Sequence, residues 1–306
     1  MSPNPPREPR SQPARVGYLG PEGTFSEEAL LASAAEGAVE PVGLASIFDT
    51  IAALREGKVE WAIVPIENSL DGSVTVTLDL LAELADEVTI VGETLLGVRH
   101  SLIAATDVPL GEITTVLTHP QVPGQCSGFL RGELAQARIL PAASTAEAVR
   151  TVVLAGDREQ AALGTVLAAR IYGGTVLREG VEDSDENETR FVWLARAAQA
   201  GEPPPVDTVQ SGPWKTSLVF WGLGAGSPGW LVRCLDEFAR RDINLTKIES
   251  RPRRERLGSY MFFADLLGRA AEEPVADAIA GVRALCEAVL VLGSYPAAAA
   301  TRPRGR

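Results

Sequence analysis

The sequence predicts an α/β protein with two α/β lobes followed by a domain of order βαββαβ. Three observations predict this architecture. Short β-branched runs alternate with helical stretches through residues 16–198, a pattern typical of α/β domains. Three consecutive prolines at 203–205 interrupt that pattern, and such a segment favours an extended linker. A second series of strands and helices follows, and 306 residues are enough for two domains.

The first lobe begins at Val16 with alternating strands and helices. Strands are predicted at 16–19, 39–43 and 61–64, and helices from residue 25 and at 46–55. This alternation indicates parallel strands joined by helices. Side chains that can accept a backbone N–H bond precede the helices, namely Thr24 with Glu27, Ser46 with Asp49, and Ser144 with Glu147.

The second lobe is predicted from residue 113 onward. Strands are expected at 115–117 and 138–140, and helices at 126–134 and from residue 145. Residues 88–104 form a long β-branched run that is broken by Gly92, Gly97 and the polar sequence Arg99-His100-Ser101. We expect this run to cross between the lobes, with a cleft beside it.

The chain divides into five predicted parts: a disordered tail at 1–15, the two-lobed domain at 16–198, a linker at 199–213, a third domain at 214–296 and a tail at 297–306. In the third domain, strands are predicted at 216–222, 244–250, 259–266 and 288–293, with helices at 229–240 and 275–287. That order is βαββαβ, the ferredoxin-like arrangement.

Composition excludes several classes of function. The net charge is −12, which argues against a nucleic-acid partner because phosphate binding needs clustered Lys and Arg. The three cysteines and two histidines have no disulfide-scaffold or zinc-ligand spacing, so no metal is expected. No segment has the apolar length of a signal peptide core or a membrane helix. The sequence therefore predicts a soluble, cytoplasmic protein.

Four segments place glycine and small polar residues where strands end, and such strand ends form ligand sites in open α/β sheets. They are residues 20–26, 65–73, 118–126 and 187–191. Each also has a plain structural interpretation. Thr24 and Ser26 could only cap a helix, Asn68 could begin a simple turn, His119 could order its own loop, and Thr189 could lie on a strand edge. None of the segments contains a nucleophile paired with a base.

Taken together, these segments resemble one enzyme family. Gly-Pro-x-Gly-Thr-Phe-Ser at 20–26, Pro-Ile-Glu-Asn-Ser-x-x-Gly at 65–72, Thr-His-Pro-Gln with Gln-Cys at 118–126, and Asn-x-Thr-Arg-Phe at 187–191 stand in the order found in prephenate dehydratases. Ser-Pro-Gly at 227–229 and Glu-Ser-Arg-Pro at 249–252 resemble the phenylalanine-binding elements of ACT regulatory domains. The resemblance extends from Val16 to about Tyr295.

The resemblance implies a fold, a reaction and a set of site residues. It implies a two-lobed catalytic domain like type II periplasmic binding proteins, followed by an ACT domain. The reaction converts prephenate to phenylpyruvate, water and CO2 without a cofactor, because aromatisation of the ring drives it. Thr189 would act as donor to the leaving hydroxyl. The substrate would be bound by Thr24, Ser26, Asn68, Ser69, Gly72, Thr118, Gln125, Arg190 and Phe191.

The resemblance also implies regulation by L-phenylalanine in amino-acid biosynthesis. The effector would lie between the ACT domains of two subunits, so a homodimer or homotetramer is expected. Its binding residues would be Gly229, Trp230, Leu231, Glu249, Ser250, Arg251 and Pro252.

Three other functions remain open at this point. A prephenate decarboxylase on the same scaffold is disfavoured by the Thr-Arg-Phe sequence at 189–191. An arogenate dehydratase differs only in a substrate amine, and an assay of both substrates would separate the two. A non-catalytic small-molecule sensor would bind ligand without turnover.

Overall fold

The computed structural model describes residues 12–206, 213–222 and 226–298. The first lobe comprises β1 (Ala14–Leu19), α1 (Phe25–Ser33), β2 (Val39–Leu44), α2 (Ile47–Arg55), β3 (Trp61–Asn68), β4 (Gly72–Ser73), α3 (Thr75–Glu83) and β5 (Val88–Gly97). The second lobe and the returning strand comprise β6 (Ser101–Ala104), β7 (Thr115–Thr118), α4 (Val122–Gln125), α5 (Ser127–Glu133), β8 (Arg138–Pro141), α6 (Thr145–Ala155), β9 (Gln160–Gly164), α7 (Val166–Tyr172), β10 (Thr175–Glu179) and β11 (Glu188–Arg196). The C-terminal domain comprises β12 (Trp214–Trp221), α8 (Trp230–Ala239), β13 (Leu245–Pro252), β14 (Tyr260–Leu267), α9 (Glu273–Leu285) and β15 (Ala288–Pro296).

The sheet of the first lobe is mixed. β1 pairs in parallel with β2 and β3, as the sequence predicts. β11 lies between β3 and β5 and is antiparallel to both. The prediction of a parallel sheet is corrected here, because the chain enters β11 from the second lobe and therefore runs in the opposite direction.

The second lobe has its own sheet, with strand order β10-β6-β9-β7-β8. The predicted crossing run splits in two: β5 ends at Gly97 in one sheet, and β6 begins at Ser101 in the other. The predicted caps are confirmed, since Thr24, Ser46 and Ser144 each accept the backbone N–H three residues later. The helix expected from residue 126 begins earlier, at 122, where Pro123 stands in the first turn and needs no N–H partner.

The C-terminal elements follow the predicted βαββαβ order, with strand order β13-β14-β12-β15. This sheet is not separate from that of the first lobe, because β15 meets β5 in parallel at Gly293 and Ile90. A Cβ on Gly293 would lie 2.2 Å from the Ile90 carbonyl oxygen, so glycine permits this contact. Of the predicted linker, residues 207–212 lie outside the described residues, whereas Val206 forms a β-bridge with Ala34.

The predicted tails are shorter than expected where the structure describes them. β1 starts at Ala14 rather than at residue 16. At the other end, the Ala298 N–H donates to Glu93. The larger parts of both tails lie outside the described residues.

One apolar cluster joins the first lobe to the C-terminal domain. Leu78 and Val192 of the lobe pack with Val219, Phe263 and Leu292 of the domain. Burying a side chain of this size contributes about 1.5–3 kcal/mol, so the domain docks firmly on the lobe. In the described part of the chain, no helix is long and apolar enough to cross a membrane.

Candidate active site

A cleft of about 840 Å³ lies between the two lobes. Its walls come from the carboxyl ends of β1 and β3 and from the N-termini of α1 and α6, and strand ends of this kind form ligand sites in α/β proteins. Six predicted site residues line it: Thr24, Ser26, Asn68, Gly72, Gln125 and Thr189. The fold therefore brings residues from all four sequence segments together at one cleft.

Thr189 and Asn68 form a cross-strand pair in this cleft. They lie directly opposite each other on β11 and β3. The Asn68 Nδ2 group donates to Thr189 Oγ1 at 2.9 Å and to Asn187 Oδ1 at 2.8 Å. Asn68 Oδ1 accepts the N–H groups of Leu70 and Asp71, both at 2.9 Å. Because the Thr189 oxygen already accepts a bond from an amide, its own proton is available to a ligand.

A chain of amide groups extends this pair across the cleft to His100. Asn187 Nδ2 donates to Gln125 Oε1 at 3.2 Å, and Gln125 Nε2 donates to Asp71 Oδ2 at 3.2 Å. His100 Nε2 lies 3.0 Å from the same Gln125 oxygen. With the amide oriented in this way, that oxygen can only accept, so Nε2 carries the imidazole proton.

His100 is buried and contacts the ring of Phe25 edge-on at a centroid distance of 5.4 Å. Burial lowers the pKa of His100, although Gln125 and Glu182 oppose that shift. Its Nδ1 atom is buried and has no hydrogen-bond partner among the described residues. His100 is therefore a neutral imidazole in the wall of the cleft at about pH 7.

Two helix N-termini face the cleft, one from each lobe. In α1, Thr24 Oγ1 accepts the Glu27 N–H at 3.4 Å, and the Glu27 carboxylate accepts the Gly23 N–H at 2.5 Å. In α6, Ser144 Oγ accepts the Glu147 N–H at 3.0 Å. Such termini carry a partial positive charge that favours anions. Among the described residues that line the cleft, none is Lys or Arg.

The lobes are held together beside α1. Thr165 Oγ1 donates to the Gly23 carbonyl at 2.7 Å, and the Tyr172 hydroxyl donates to the Glu22 carbonyl at 2.8 Å. Gly23 has a φ of +84°, and a Cβ there would lie 2.8 Å from Ala168. Glycine is thus required for the close approach that sets the position of the α1 N-terminus.

Three other predicted ligands lie outside the cleft lining. Ser69 Oγ donates to the Glu186 carbonyl at 3.1 Å and accepts the Glu188 N–H at 3.0 Å, so it holds the segment before Thr189. The fully buried Thr118 hydroxyl donates to the carbonyl of Leu163 at 3.1 Å. Both hydroxyls are bonded to the protein backbone, and their role as substrate ligands stays a prediction. Phe191 is 1% exposed in the core of the first lobe.

Arg190 is also placed elsewhere. Its guanidinium contacts Glu67 at 2.9 Å, Glu93 at 3.2 Å and Asp265 at 2.7 Å. Neighbouring side chains of a strand point to opposite faces of the sheet, so Arg190 faces the C-terminal domain when Thr189 faces the cleft. Burial alone lowers the pKa of Arg190, but Asp265 and the other nearby carboxylates outweigh it and raise the pKa. Its assignment as a ligand of the substrate carboxylate stays a prediction.

The predicted effector residues lie on two elements of the C-terminal domain. Gly229 and Leu231 stand at the start of α8, where Trp230 is buried in the domain core and donates its indole N–H to Leu285. On β13, Ser250 and Pro252 are exposed. Glu249 accepts the Ser73 hydroxyl at 2.9 Å and Arg251 pairs with Asp79 at 3.0 Å. The charged pair thus contacts the first lobe, and the indole of Trp230 is not open to a ligand.

The lining also includes residues that the sequence did not assign to the site, among them Asp71, Ser73, His100 and Asn187. The position of Asn187 could have been predicted. It precedes Thr189 by two residues, and residues two apart in an extended chain lie on the same face. His100 lay within the predicted crossing run, which itself predicted the cleft.

The sequence profile of the family described as prephenate dehydratase matches residues 16–199. The chain belongs to the prephenate dehydratase family. Among curated family members, the prephenate dehydratase of Mycobacterium sp. (strain JLS) is 40% identical over 292 residues, covering 92% of this chain and 89% of its own. The prephenate dehydratase of Mycobacterium tuberculosis (strain ATCC 25177 / H37Ra) is 39% identical over 290 residues, covering 92% and 87%.

Solved structures agree with this family membership. Prephenate dehydratase from Arthrobacter aurescens in complex with L-Phe is 34% identical, with a TM-score of 0.79 over 92% of this chain and 89% of that one. GqqA, described as a novel type of quorum quenching acylase, is 30% identical, with a TM-score of 0.81 over 94% and 100%. The predicted likeness to periplasmic binding proteins stays a prediction.

Proposed function

We propose that the protein converts prephenate to phenylpyruvate, water and CO2, with Thr189 as donor to the departing hydroxyl. The hydrogen bond from Asn68 Nδ2 to Thr189 Oγ1, at 2.9 Å, carries this proposal. It orients the threonine proton into the cleft and stabilises negative charge that develops on Oγ1 as that proton moves toward the leaving oxygen.

The reaction breaks two bonds in concert. The ring carboxylate leaves as CO2, its bonding electrons complete the aromatic ring, and the hydroxyl at the opposite ring carbon departs with a proton as water. An aliphatic hydroxyl is a weak acid, so a tight hydrogen bond from Thr189, completed through water, fits this step better than full ionisation. The neutral His100 adds no charge to the cleft, which suits a reaction that discharges a carboxylate.

The two helix N-termini fit the two carboxylates of prephenate. α1 and α6 approach the cleft from opposite lobes, with Ser26 and Thr145 beside their first turns. Backbone N–H groups and helix dipoles bind anions without a cation. We assign substrate recognition to these termini together with Asn68, Gly72 and Gln125, in place of Arg190.

Arogenate is the second candidate substrate. It carries an amine where prephenate has a keto group, and the carboxylates of Asp71 and Glu147 line the cleft where an ammonium could meet them. An acyl transfer like that suggested by the name of GqqA has less support. It calls for a nucleophile beside a base, and in the described part of the chain neither His100 nor His119 is hydrogen-bonded to a hydroxyl.

The C-terminal domain is proposed to be an ACT domain that binds L-phenylalanine and lowers activity. Its βαββαβ order and the L-Phe complex of the Arthrobacter family member support this. The effector would meet backbone groups near Gly229 and the exposed Ser250 and Pro252 at an interface between subunits, in a homodimer or homotetramer. The setting is amino-acid biosynthesis in the cytoplasm.

The test is turnover by the purified full-length protein with prephenate or arogenate and no added metal or cofactor. Phenylpyruvate from prephenate, suppressed by L-phenylalanine, is the expected result. Phenylalanine formed preferentially from arogenate would transfer the assignment to the second substrate. Binding without any product would leave a small-molecule sensor and defeat the enzymatic proposal.

A further inference from the structure

Two of the three lysines of this chain are buried between the C-terminal domain and the first lobe. Lysine occurs at positions 58, 215 and 247 only. The Lys247 ammonium lies 3.0 Å from Glu67 Oε1 and donates to Ser73 Oγ at 2.5 Å. The Lys215 ammonium lies 2.7 Å and 2.8 Å from the oxygens of Glu93. Their side chains are 8% and 12% exposed, whereas that of Lys58 is 71% exposed.

These lysines belong to an interdomain ion cluster, defined as Glu67, Glu93 and Arg190 of the first lobe with Lys215, Lys247 and Asp265 of the C-terminal domain. Glu249 of the same domain lies 3.9 Å from the Lys247 ammonium at the edge of this cluster. Separation of the domain from the lobe would leave poorly solvated charges without a full set of partners, and such charges are costly. The charges of the cluster therefore keep their partners only while the domain is docked.

The cluster lies on the opposite face of the sheet from the Asn68–Thr189 pair. Asn68 of β3 is opposite Thr189 of β11. The adjacent pair is Glu67 of β3 and Arg190 of β11. Because side chains alternate between the faces of a sheet, the first pair faces the cleft and the second faces the C-terminal domain. The Arg190 guanidinium donates to Glu67 Oε2 at 3.1 Å and 2.9 Å. Lys247 holds the other oxygen of the same carboxylate.

Lys247 also holds the cleft wall through a second contact. Its partner Ser73 lies on β4, which pairs with the end of β3 and lines the cleft. Glu249, two residues farther along β13, accepts the Ser73 hydroxyl. A single lysine of the C-terminal domain thus contacts β3, which carries Asn68, and β4, which pairs with the end of β3.

We propose that Lys247 is a positioning residue for the dehydratase reaction. It fixes Glu67 and Ser73, and through β3 and β4 it holds the Asn68–Thr189 hydrogen bond in the reactive arrangement. This inference rests on the proposed function. It also supplies a route for regulation, since any ligand that shifts β13 moves Lys247 and so alters turnover without entering the cleft.

The test replaces Lys247 with methionine in the full-length protein, which keeps the length of the side chain and removes the charge. We expect kcat to fall about 10-fold with KM within about 2-fold, because a small misplacement of reacting groups lowers rate while the substrate ligands stay in place. Lys247→Arg restores the charge and should recover most of kcat. Lys58→Met is the matched control, since it makes the same exchange at an exposed site.

A double-mutant cycle with Glu67→Gln separates positioning from general stability. If Lys247 acts through Glu67, the loss in the double variant is much smaller than the product of the two single losses. If Lys247→Met alone does not fold, the double variant replaces it, because the double variant removes both charges of the pair. The inference then requires that kcat of the double variant is about 10-fold lower than that of the wild type.

The outcomes are distinguishable. A folded Lys247→Met variant with the kcat of the wild type, or one whose deficit multiplies with that of Glu67→Gln, overturns the positioning role while the proposed function stands. A wild-type protein that forms no phenylpyruvate overturns both.

Discussion

Exchange of Asn68 for aspartate removes the amide donor to Thr189 but preserves the turn after β3. The retained oxygen still accepts the N–H groups of Leu70 and Asp71. The second oxygen replaces an N–H group that donates to Thr189 Oγ1 at 2.9 Å and to Asn187 Oδ1 at 2.8 Å. The new carboxylate oxygen then faces two oxygen atoms, so the threonine proton is drawn toward the carboxylate and away from the substrate.

The expected loss follows from the charge on Oγ1 in the transition state. Removal of one donor that stabilises developing charge costs about 10² to 10³ in kcat, or ~2.7–4 kcal/mol. The assay is phenylpyruvate formation at saturating prephenate at about pH 8, where an aspartate of ordinary pKa is ionised. Asn244→Asp is the matched control, because it makes the same exchange at an exposed position of the C-terminal domain. A folded Asn68→Asp variant with kcat within about threefold of the wild type would refute the orientation of Thr189 by this amide, since even one weak hydrogen bond is worth that factor.

Two further predictions concern buried side chains. Burial lowers the pKa of His100, so the unfolded chain takes up a proton that the folded protein does not. The unfolding free energy should therefore fall below about pH 6.5 by up to ~1.4 kcal/mol per pH unit, and denaturant titrations should show that His100→Gln flattens this slope. An unchanged slope in that variant would contradict the burial of a neutral His100. Phe191 is 1% exposed, so Phe191→Ala should lower the unfolding free energy by about 3–5 kcal/mol. The same exchange at Phe48, which is 60% exposed, should change it little, and equal losses at the two positions would contradict the burial of Phe191.

Features that depend on neighbours in sequence could be predicted. Thr24, Ser46 and Ser144 each stand three residues before an acidic residue, and each caps a helix as expected. The βαββαβ order of the C-terminal domain followed from the same local periodicity. The position of β11 could not be predicted, because its pairing of Thr189 with Asn68 joins residues more than a hundred positions apart and no local pattern encodes such a contact.

Some of the motif residues lie on the cleft lining, and their neighbours in the same motifs do not. Asn68, Gln125 and Thr189 lie on the lining, but Arg190 shares its motif with Thr189 and points to the opposite face of β11. A motif records which residues occur together and not which side of the sheet each occupies. The contact between β15 and β5 at Gly293 could not be predicted either. A glycine indicates a close approach only when the strand that approaches it is known.

We propose that the Thr189 hydroxyl assists the departure of the ring hydroxyl. The most direct measurement is kcat for phenylpyruvate formation by Thr189→Val, which keeps the shape of the side chain and removes the hydroxyl, beside Thr189→Ser, which keeps the hydroxyl. We expect a loss of about 10² to 10⁴ in the valine variant, and a much smaller loss in the serine variant. A folded valine variant with kcat within about tenfold of the wild type would contradict the claim.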